Sequence, residues 1–171
     1  GSAALHCARF GLRTLILEEH EQIGVPVHCG ECLSEVAVQN LGLKLPEEVI
    51  SLHVKGIRVL FPNDIEKTLT EPGYVLEKHL FEQWLIDEAV KEGAVFKPSH
   101  KVKGMTKKFK LGNQFSNWEI TGKGELFPIK AKIIIDASGV AGISSKILKN
   151  SEKIEVIAGY QYEMLEVKND G

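Results

Sequence analysis

Glu18 is the first residue of this sequence whose position suggests chemistry. It follows the apolar run Thr14–Leu17, which is typical of a short buried strand. In a dinucleotide-binding fold, an acid at the end of such a strand accepts hydrogen bonds from ribose hydroxyls. Glutamates at strand ends are also common as solvated surface acids, and this residue alone leaves both interpretations open.

The loop Pro26–Cys32 is the second chemical feature, and it places Cys29 and Cys32 at C-x-x-C spacing. Such a pair can bind a metal or act as a redox couple. A structural zinc needs four ligands, however, and the sequence has no second pair. A third interpretation is a turn whose backbone N–H groups approach a cofactor, with Gly30 permitting the close approach. We therefore predict free thiols and no bound metal here.

The elements that must position these residues follow the order of an interrupted nucleotide-binding layer. Small and apolar residues predict a helix over Ala3–Phe10, and apolar residues at helical spacing predict a longer one over Glu77–Glu92. Short apolar runs predict buried strands at Thr14–Leu17, Ala94–Phe96 and Ile133–Ile135. Right-handed crossovers would place these three strands in one parallel sheet.

Antiparallel pieces interrupt this layer. A strand is predicted over Val54–Phe61, and a short helix over Glu35–Leu41, with Ser34 as its cap. From Val102 to Ala131, short strands with turn residues between them predict a β-meander. The sequence thus predicts an α/β fold with inserted strands and a meander.

The composition limits the classes of protein to which this sequence can belong. The 171 residues are 43% hydrophobic and 26% charged, which is the profile of a globular domain. A net charge of -2 gives no general attraction to nucleic acid, so no nucleic-acid partner is expected. Three cysteines do not make a secreted disulfide framework, which favours a reducing, cytoplasmic setting.

Four segments together resemble the geranylgeranyl reductase family, whose members are FAD enzymes that saturate isoprenoid double bonds. The segments are GLRTLILE at 11–18, IGVPVHCGE at 23–31, YVLEKHLFEQWL at 74–85 and IIIDASG at 133–139. Each motif alone is of moderate specificity, but their order and spacing make the set strong. The resemblance extends to about Tyr162.

The resemblance implies a set of cofactor-binding residues. Glu18 would hold the ribose, Lys78 would stand where the family usually has an arginine near the cofactor, and Val102 would offer backbone contacts to the adenine. The remaining residues implied to line FAD are Cys29, Gly30, Cys32 and Gly139. Cys32 replaces a small residue, Lys78 lacks the planar fork of arginine, and Ser138 stands where related flavoproteins often have aspartate.

The implied fold is a partial FAD/NAD(P)-binding Rossmann-like domain that lacks its first strand. Residues 1–171 would form this incomplete FAD-binding domain, and the segment from about 40 to 75 would be an insertion that begins the substrate-side region. No complete G-x-G-x-x-G turn occurs in the sequence. We therefore expect the chain to be truncated and to bind FAD weakly or not at all by itself.

The implied function is the reduction of geranylgeranyl double bonds in lipid precursors. Its partners would be FAD, an isoprenoid lipid and a membrane surface touched peripherally, with the electron donor left open between NAD(P)H and ferredoxin. The flavin performs the redox chemistry in such enzymes, so no catalytic residue is assigned. Two alternatives stay open: a flavin-dependent monooxygenase or halogenase on the same scaffold, and a fold remnant without cofactor.

Overall fold

The structure, a computed structural model, describes residues 1–110, 114–148 and 159. The chain divides into two compact units, Gly1–Lys101 and Val102–Gly171. Among the described residues, no helix is both long and apolar enough to span a bilayer.

The first unit contains three helices and seven strands among its described residues. In chain order they are α1 Ser2–Arg9, β1 Leu15–Leu17, β2 Cys32–Ser34, α2 Glu35–Asn40, β3 Ile50–Val54, β4 Ile57–Phe61, β5 Ile65–Leu69, β6 Gly73–Leu76, α3 Lys78–Lys91 and β7 Val95–Lys97. The predicted helices near both ends of this unit are confirmed. Ser34 caps α2 as expected, because its side chain accepts a hydrogen bond from the backbone N–H of Ala37 (3.2 Å).

Strands β1 and β7 form a parallel pair, in which Leu15 faces Val95 and Leu17 faces Lys97. Helices α1 and α3 pack against each other and run in the same direction, because Gly1 lies against Leu85 at one end and Arg9 pairs with Glu92 at the other. These are the parallel strands and crossover helices expected of a nucleotide-binding layer. The core of this layer consists of Leu5, Ala8, Leu85, Ala89 and Ala94.

A second, antiparallel sheet has the strand order β2-β6-β3. The sequence analysis treated Pro26–Cys32 as a loop, but Cys32 begins strand β2, in which Cys32–Ser34 pairs with Gly73–Val75. The predicted strand over Val54–Phe61 was wrong in its extent, since β3 ends at Val54 and β4 begins at Ile57 in another sheet. Gly56, between these strands, permits the close approach of β5, because a Cβ there would lie 2.2 Å from the carbonyl oxygen of Leu69.

Strands β4 and β5 form a separate two-stranded hairpin. Its register places Ile57 opposite Leu69, Val59 opposite Lys67 and Phe61 opposite Ile65, all on one face. The four large apolar side chains at the two ends of this face are about half exposed. We refer to these six residues as the apolar hairpin face.

The second unit is led by the meander β8 Lys101–Phe109, β9 Phe115–Lys123 and β10 Ile129–Ala131, followed by the short helix α4 Ile143–Leu148. The antiparallel order β10-β9-β8 confirms the predicted meander. Its predicted turn at Gly112–Asn113 lies outside the described residues.

The predicted strand at Ile133–Ile135 is wrong. These residues have no strand pairing, they do not belong to the sheet that contains β1, and Ile133 and Ile135 are 78% and 61% exposed. An apolar run indicates a preference for burial, but a strand forms only where a neighbouring strand accepts and donates its backbone hydrogen bonds. No described strand does so here.

Candidate functional site

Glu18 lies immediately after β1, and its backbone is fixed on both sides. Its N–H donates to the carbonyl of Lys97 (3.1 Å), and its own carbonyl accepts from the N–H of His100 (2.7 Å). The carboxylate atom Oε1 accepts the backbone N–H of His20 (3.0 Å) and lies 2.7 Å from the Nδ1 of that imidazole. The side chain is 26% exposed, so an acidic group is held at a strand end and still reaches solvent.

The segment Cys29–Cys32 approaches the start of α3. The Cys29 Sγ accepts the N–H of Glu31 (3.4 Å), and Cys32 enters β2 opposite Val75 with an exposed side chain. A Cβ added at Gly30 would meet no atom within 4 Å, and the φ of Gly30 lies outside the left-handed region. Neither backbone geometry nor packing within the chain therefore demands glycine there.

The cysteines are free thiols. Within residues 1–110, 114–148 and 159, no three His, Cys, Asp or Glu side chains are grouped as metal ligands. The expectation of a metal-free loop remains a prediction, because a structure without ligands does not test it.

Glu31, which the sequence interpretation did not single out, joins this segment to the start of α3. Its carbonyl accepts the N–H of Leu76 (2.9 Å), and its carboxylate atom Oε1 accepts the N–H of Lys78 (3.3 Å). The loop before it is also bound to α3, since Gly24 lies against the backbone of His79 and the Gln83 side chain donates to the Ile23 carbonyl (3.4 Å). No local pattern signals these contacts, because the partners lie in a distant part of the sequence.

Lys78 lies in the first turn of α3, and its ammonium group pairs with Glu82 one turn later. Both charges act on the start of α1. Desolvation lowers the pKa of the Gly1 α-amino group, the carboxylate of Glu82 opposes this change, and the charge of Lys78 adds to it. The N-terminus of α1 therefore lies near both members of the Lys78–Glu82 ion pair.

The other two predicted site residues, Val102 and Gly139, lie in the second unit. Val102 is the second residue of β8, and Gly139 adopts a φ of 59° at the start of a single 3₁₀ turn. Asp136 organises this turn, because its two carboxylate oxygens accept the N–H groups of Ser138 (3.0 Å) and Ser144 (2.7 Å). The hydroxyl of Ser138 in turn accepts the N–H of Ile143 (3.1 Å).

We expect the turn at Gly139 to lose stability in acid. Burial acts to raise the pKa of Asp136, but the hydrogen bonds from Ser138 and Ser144 outweigh it and hold the pKa below the ordinary value of 3.8. The carboxylate thus contributes stability that is fully present above about pH 4 and declines as pH falls through its lowered pKa. In hydrogen exchange, the protection of the Ser144 amide should fall in this range.

The matched variants are Asp136→Asn and, as a control, the exposed Asp87→Asn. The Asn side chain has one acceptor oxygen, so it can accept from one of the two N–H groups but not from both. The protection of the Ser144 amide at pH 7 should therefore fall about threefold, a small factor because the site is exposed to solvent. In Asp136→Asn, the fall of this protection in acid should also disappear. Identical pH profiles in the wild type and Asp136→Asn would contradict this role.

Comparison with known proteins identifies relatives of this chain. A curated digeranylgeranylglycerophospholipid reductase from Thermoplasma acidophilum is 32% identical over 183 residues, covering 99% of this chain and 45% of its own length. The corresponding reductase from Picrophilus torridus is 33% identical, with the same two coverages. The chain is related to the geranylgeranyl reductases. It spans about 45% of the length of these reductases, and no family model matches it.

Solved structures agree with this relationship. A geranylgeranyl bacteriochlorophyll reductase-like protein from Thermoplasma acidophilum has a TM-score of 0.73 and 30% identity, covering 92% of this chain and 40% of its own. A halogenase solved with phloroglucinol and FAD has a TM-score of 0.64 at 16% identity, covering 86% of this chain and 33% of its own. The likeness to the halogenase shows the shared fold alone. The resemblance read from the four sequence motifs is confirmed.

Proposed function

We propose that this protein is an FAD-dependent reductase of isoprenoid double bonds in lipid precursors. The observation that carries the proposal is the match of 99% of the chain to reductases named for digeranylgeranylglycerophospholipid. The monooxygenase and halogenase alternative receives less support, because the halogenase likeness is at 16% identity.

The residues present fit an FAD dinucleotide. Glu18 offers a solvent-reaching carboxylate at a strand end, where ribose hydroxyls would donate to it. The start of α1 offers backbone N–H groups to a pyrophosphate, and Lys78 lies near that start in an ion pair with Glu82. The open space beside Gly30 leaves room for a ligand. A side chain at this position would occupy that space. These observations support FAD as the ligand.

In this proposal the protein binds and orients, whereas FAD when bound supplies the electron transfer. Glu18 would hold the adenosine half by accepting hydrogen bonds, and Lys78 would lie near the cofactor. The segment Cys29–Cys32 would line the flavin side. That Val102 and Gly139 of the second unit also bind FAD is proposed from the family resemblance alone.

The partners follow from the same proposal. The substrate would be an isoprenoid lipid precursor, as in the names of the curated relatives, and the electron donor would be NAD(P)H or ferredoxin. Residues from about 40 to 75 would begin the substrate-side region. We also propose that the protein works in the cytoplasm with peripheral contact to a membrane, where such lipids reside.

The test is a chimera in which this chain replaces the matching part of the Thermoplasma acidophilum reductase. With dithionite as reductant, the chimera should bind FAD and add hydrogen to the prenyl chains of a digeranylgeranyl lipid, as read by mass spectrometry. Circular dichroism establishes that the chimera is folded. A folded, FAD-loaded chimera that leaves the prenyl chains unsaturated would overturn the proposal, provided that the parent reductase is active in the same assay.

A further inference from the structure

Glu31 makes three hydrogen bonds that converge on one short segment. Its N–H donates to the Sγ of Cys29 (3.4 Å), its carbonyl accepts from Leu76 (2.9 Å), and its carboxylate accepts the N–H of Lys78 (3.3 Å). One residue therefore connects the Cys29–Gly30 turn to the end of β6 and the start of α3.

The backbone of Glu31 is held in an unfavourable conformation. Its φ of 62° lies in the left-handed region, which side chains other than Asn and Asp seldom adopt. Such a conformation persists only where the surroundings fix it, and such positions cluster at ligand sites. The two bonds to Leu76 and Lys78 supply that fixation.

The carboxylate of Glu31 also caps the N-terminus of α3. Glu77, the N-cap residue, makes no side-chain capping bond, so the first N–H groups of α3 need another acceptor. Glu31 provides one from 47 positions earlier in the sequence, and its negative charge suits the positive end of the helix dipole. The same bond that caps α3 thus fixes the turn before Glu31.

We propose that Glu31 is a positioning residue that holds the Cys29–Gly30 turn against the start of α3. This inference rests on the proposed function for its consequence, which is that Glu31 sets the affinity of the site for FAD. Glu31 need not touch the cofactor: it fixes the segment that does. Loss of its carboxylate would release the turn while leaving the α1–α3 core intact.

The structural half of the proposal is tested without cofactor, by the rate at which iodoacetamide alkylates each cysteine of the 171-residue chain. In Glu31→Ala, alkylation of Cys29 should accelerate about tenfold, as expected for loss of one charge-assisted hydrogen bond. Alkylation of Cys7, on helix α1, should not change. Glu35→Ala, which removes an acid from the start of α2, is the matched control and should leave the Cys29 rate unaltered.

Two further variants separate the carboxylate from the backbone strain. Glu31→Gly relieves the positive φ and removes the carboxylate, and it should accelerate Cys29 alkylation as Glu31→Ala does. Glu31→Gln keeps an acceptor oxygen and should restore most of the protection. If Glu31→Ala leaves the Cys29 rate unchanged while the variant melts at the wild-type temperature, the positioning role is wrong.

The functional half is tested in the chain extended by an upstream strand and glycine-rich turn. There, Glu31→Ala should weaken FAD binding about tenfold, with the thermal midpoint without FAD lowered only by the few degrees that the loss of a helix cap costs. Unaltered FAD affinity together with accelerated Cys29 alkylation would overturn the link to the cofactor. Failure of the unsubstituted extended chain to bind FAD would instead count against the proposed function, and the alkylation rates would still decide whether Glu31 holds the turn.

Discussion

Extending the 171-residue chain by a strand and a G-x-G-x-x-G turn is expected to raise its affinity for FAD by orders of magnitude. In dinucleotide folds, that turn and the following helix N-terminus bind the pyrophosphate through backbone N–H groups and the helix dipole. The sequence contains no complete turn of this type. Several charge-assisted hydrogen bonds of about 1.5–3 kcal/mol each would thus be added by the extension. Flavin fluorescence quenching in titrations of both chains measures the difference.

Within the extended chain, Glu18→Ala should remove much of the gain, because the ribose hydroxyls lose their acceptor. Glu18→Gln tests the role of charge, and Glu21→Ala, at an exposed nearby acid, is the matched control. The thermal midpoint of each variant without FAD must stay close to that of the parent. Stoichiometric, tight FAD in the 171-residue chain itself would show that the principal binding groups lie elsewhere.

Leu5→Ala is expected to cause a large loss of stability in the first unit. Leu5 is 1% exposed and lies in the cluster that joins α1 to α3, together with Leu85 and Ala89. Truncation leaves a cavity in addition to losing apolar burial, which costs about 3 kcal/mol for a leucine in a closed core. Leu12→Ala, at a leucine that is 57% exposed, should cost well under 1 kcal/mol.

Urea unfolding followed by tryptophan fluorescence measures this difference. The protein has two tryptophans, and Trp84 is packed against the cluster that contains Leu5. A Trp118→Phe background therefore reports on the first unit alone. Equal midpoints for Leu5→Ala and Leu12→Ala would show that the α1–α3 contact does not hold this unit together.

Helix α3 shows what the sequence could predict. Apolar residues at helical spacing predicted Glu77–Glu92, and the helix spans Lys78–Lys91, because a helix closes its hydrogen bonds within itself. The same reasoning failed for Ile133–Ile135, since a strand depends on a partner that its own residues do not specify. Strand β2 was missed for the complementary reason: Cys32–Ser34 has no strand pattern, yet β6 provides it with hydrogen bonds.

The candidate site likewise contains one residue that the sequence could predict and one that it could not. Glu18 was predictable because a strand ending in an acid is a local pattern, and the structure places it after β1 with a solvent-reaching carboxylate. Glu31 was not, because its contacts with Leu76 and Lys78 join distant segments. The cofactor roles of Glu18, Lys78 and Gly30 stay predictions until the FAD titrations are done.

The apolar hairpin face bears on the solubility of this chain. Phe61 and Ile65 pair across the strands at one end and Ile57 and Leu69 at the other, and all four are about half exposed. Two molecules that brought these faces together would bury them from water, so concentrated solutions favour self-association. Within the described hairpin, Lys67 carries the single charge of that face, and a charge inside an apolar strip acts as a gatekeeper against aggregation. Neutralising Lys67 would remove the repulsion that keeps such faces apart.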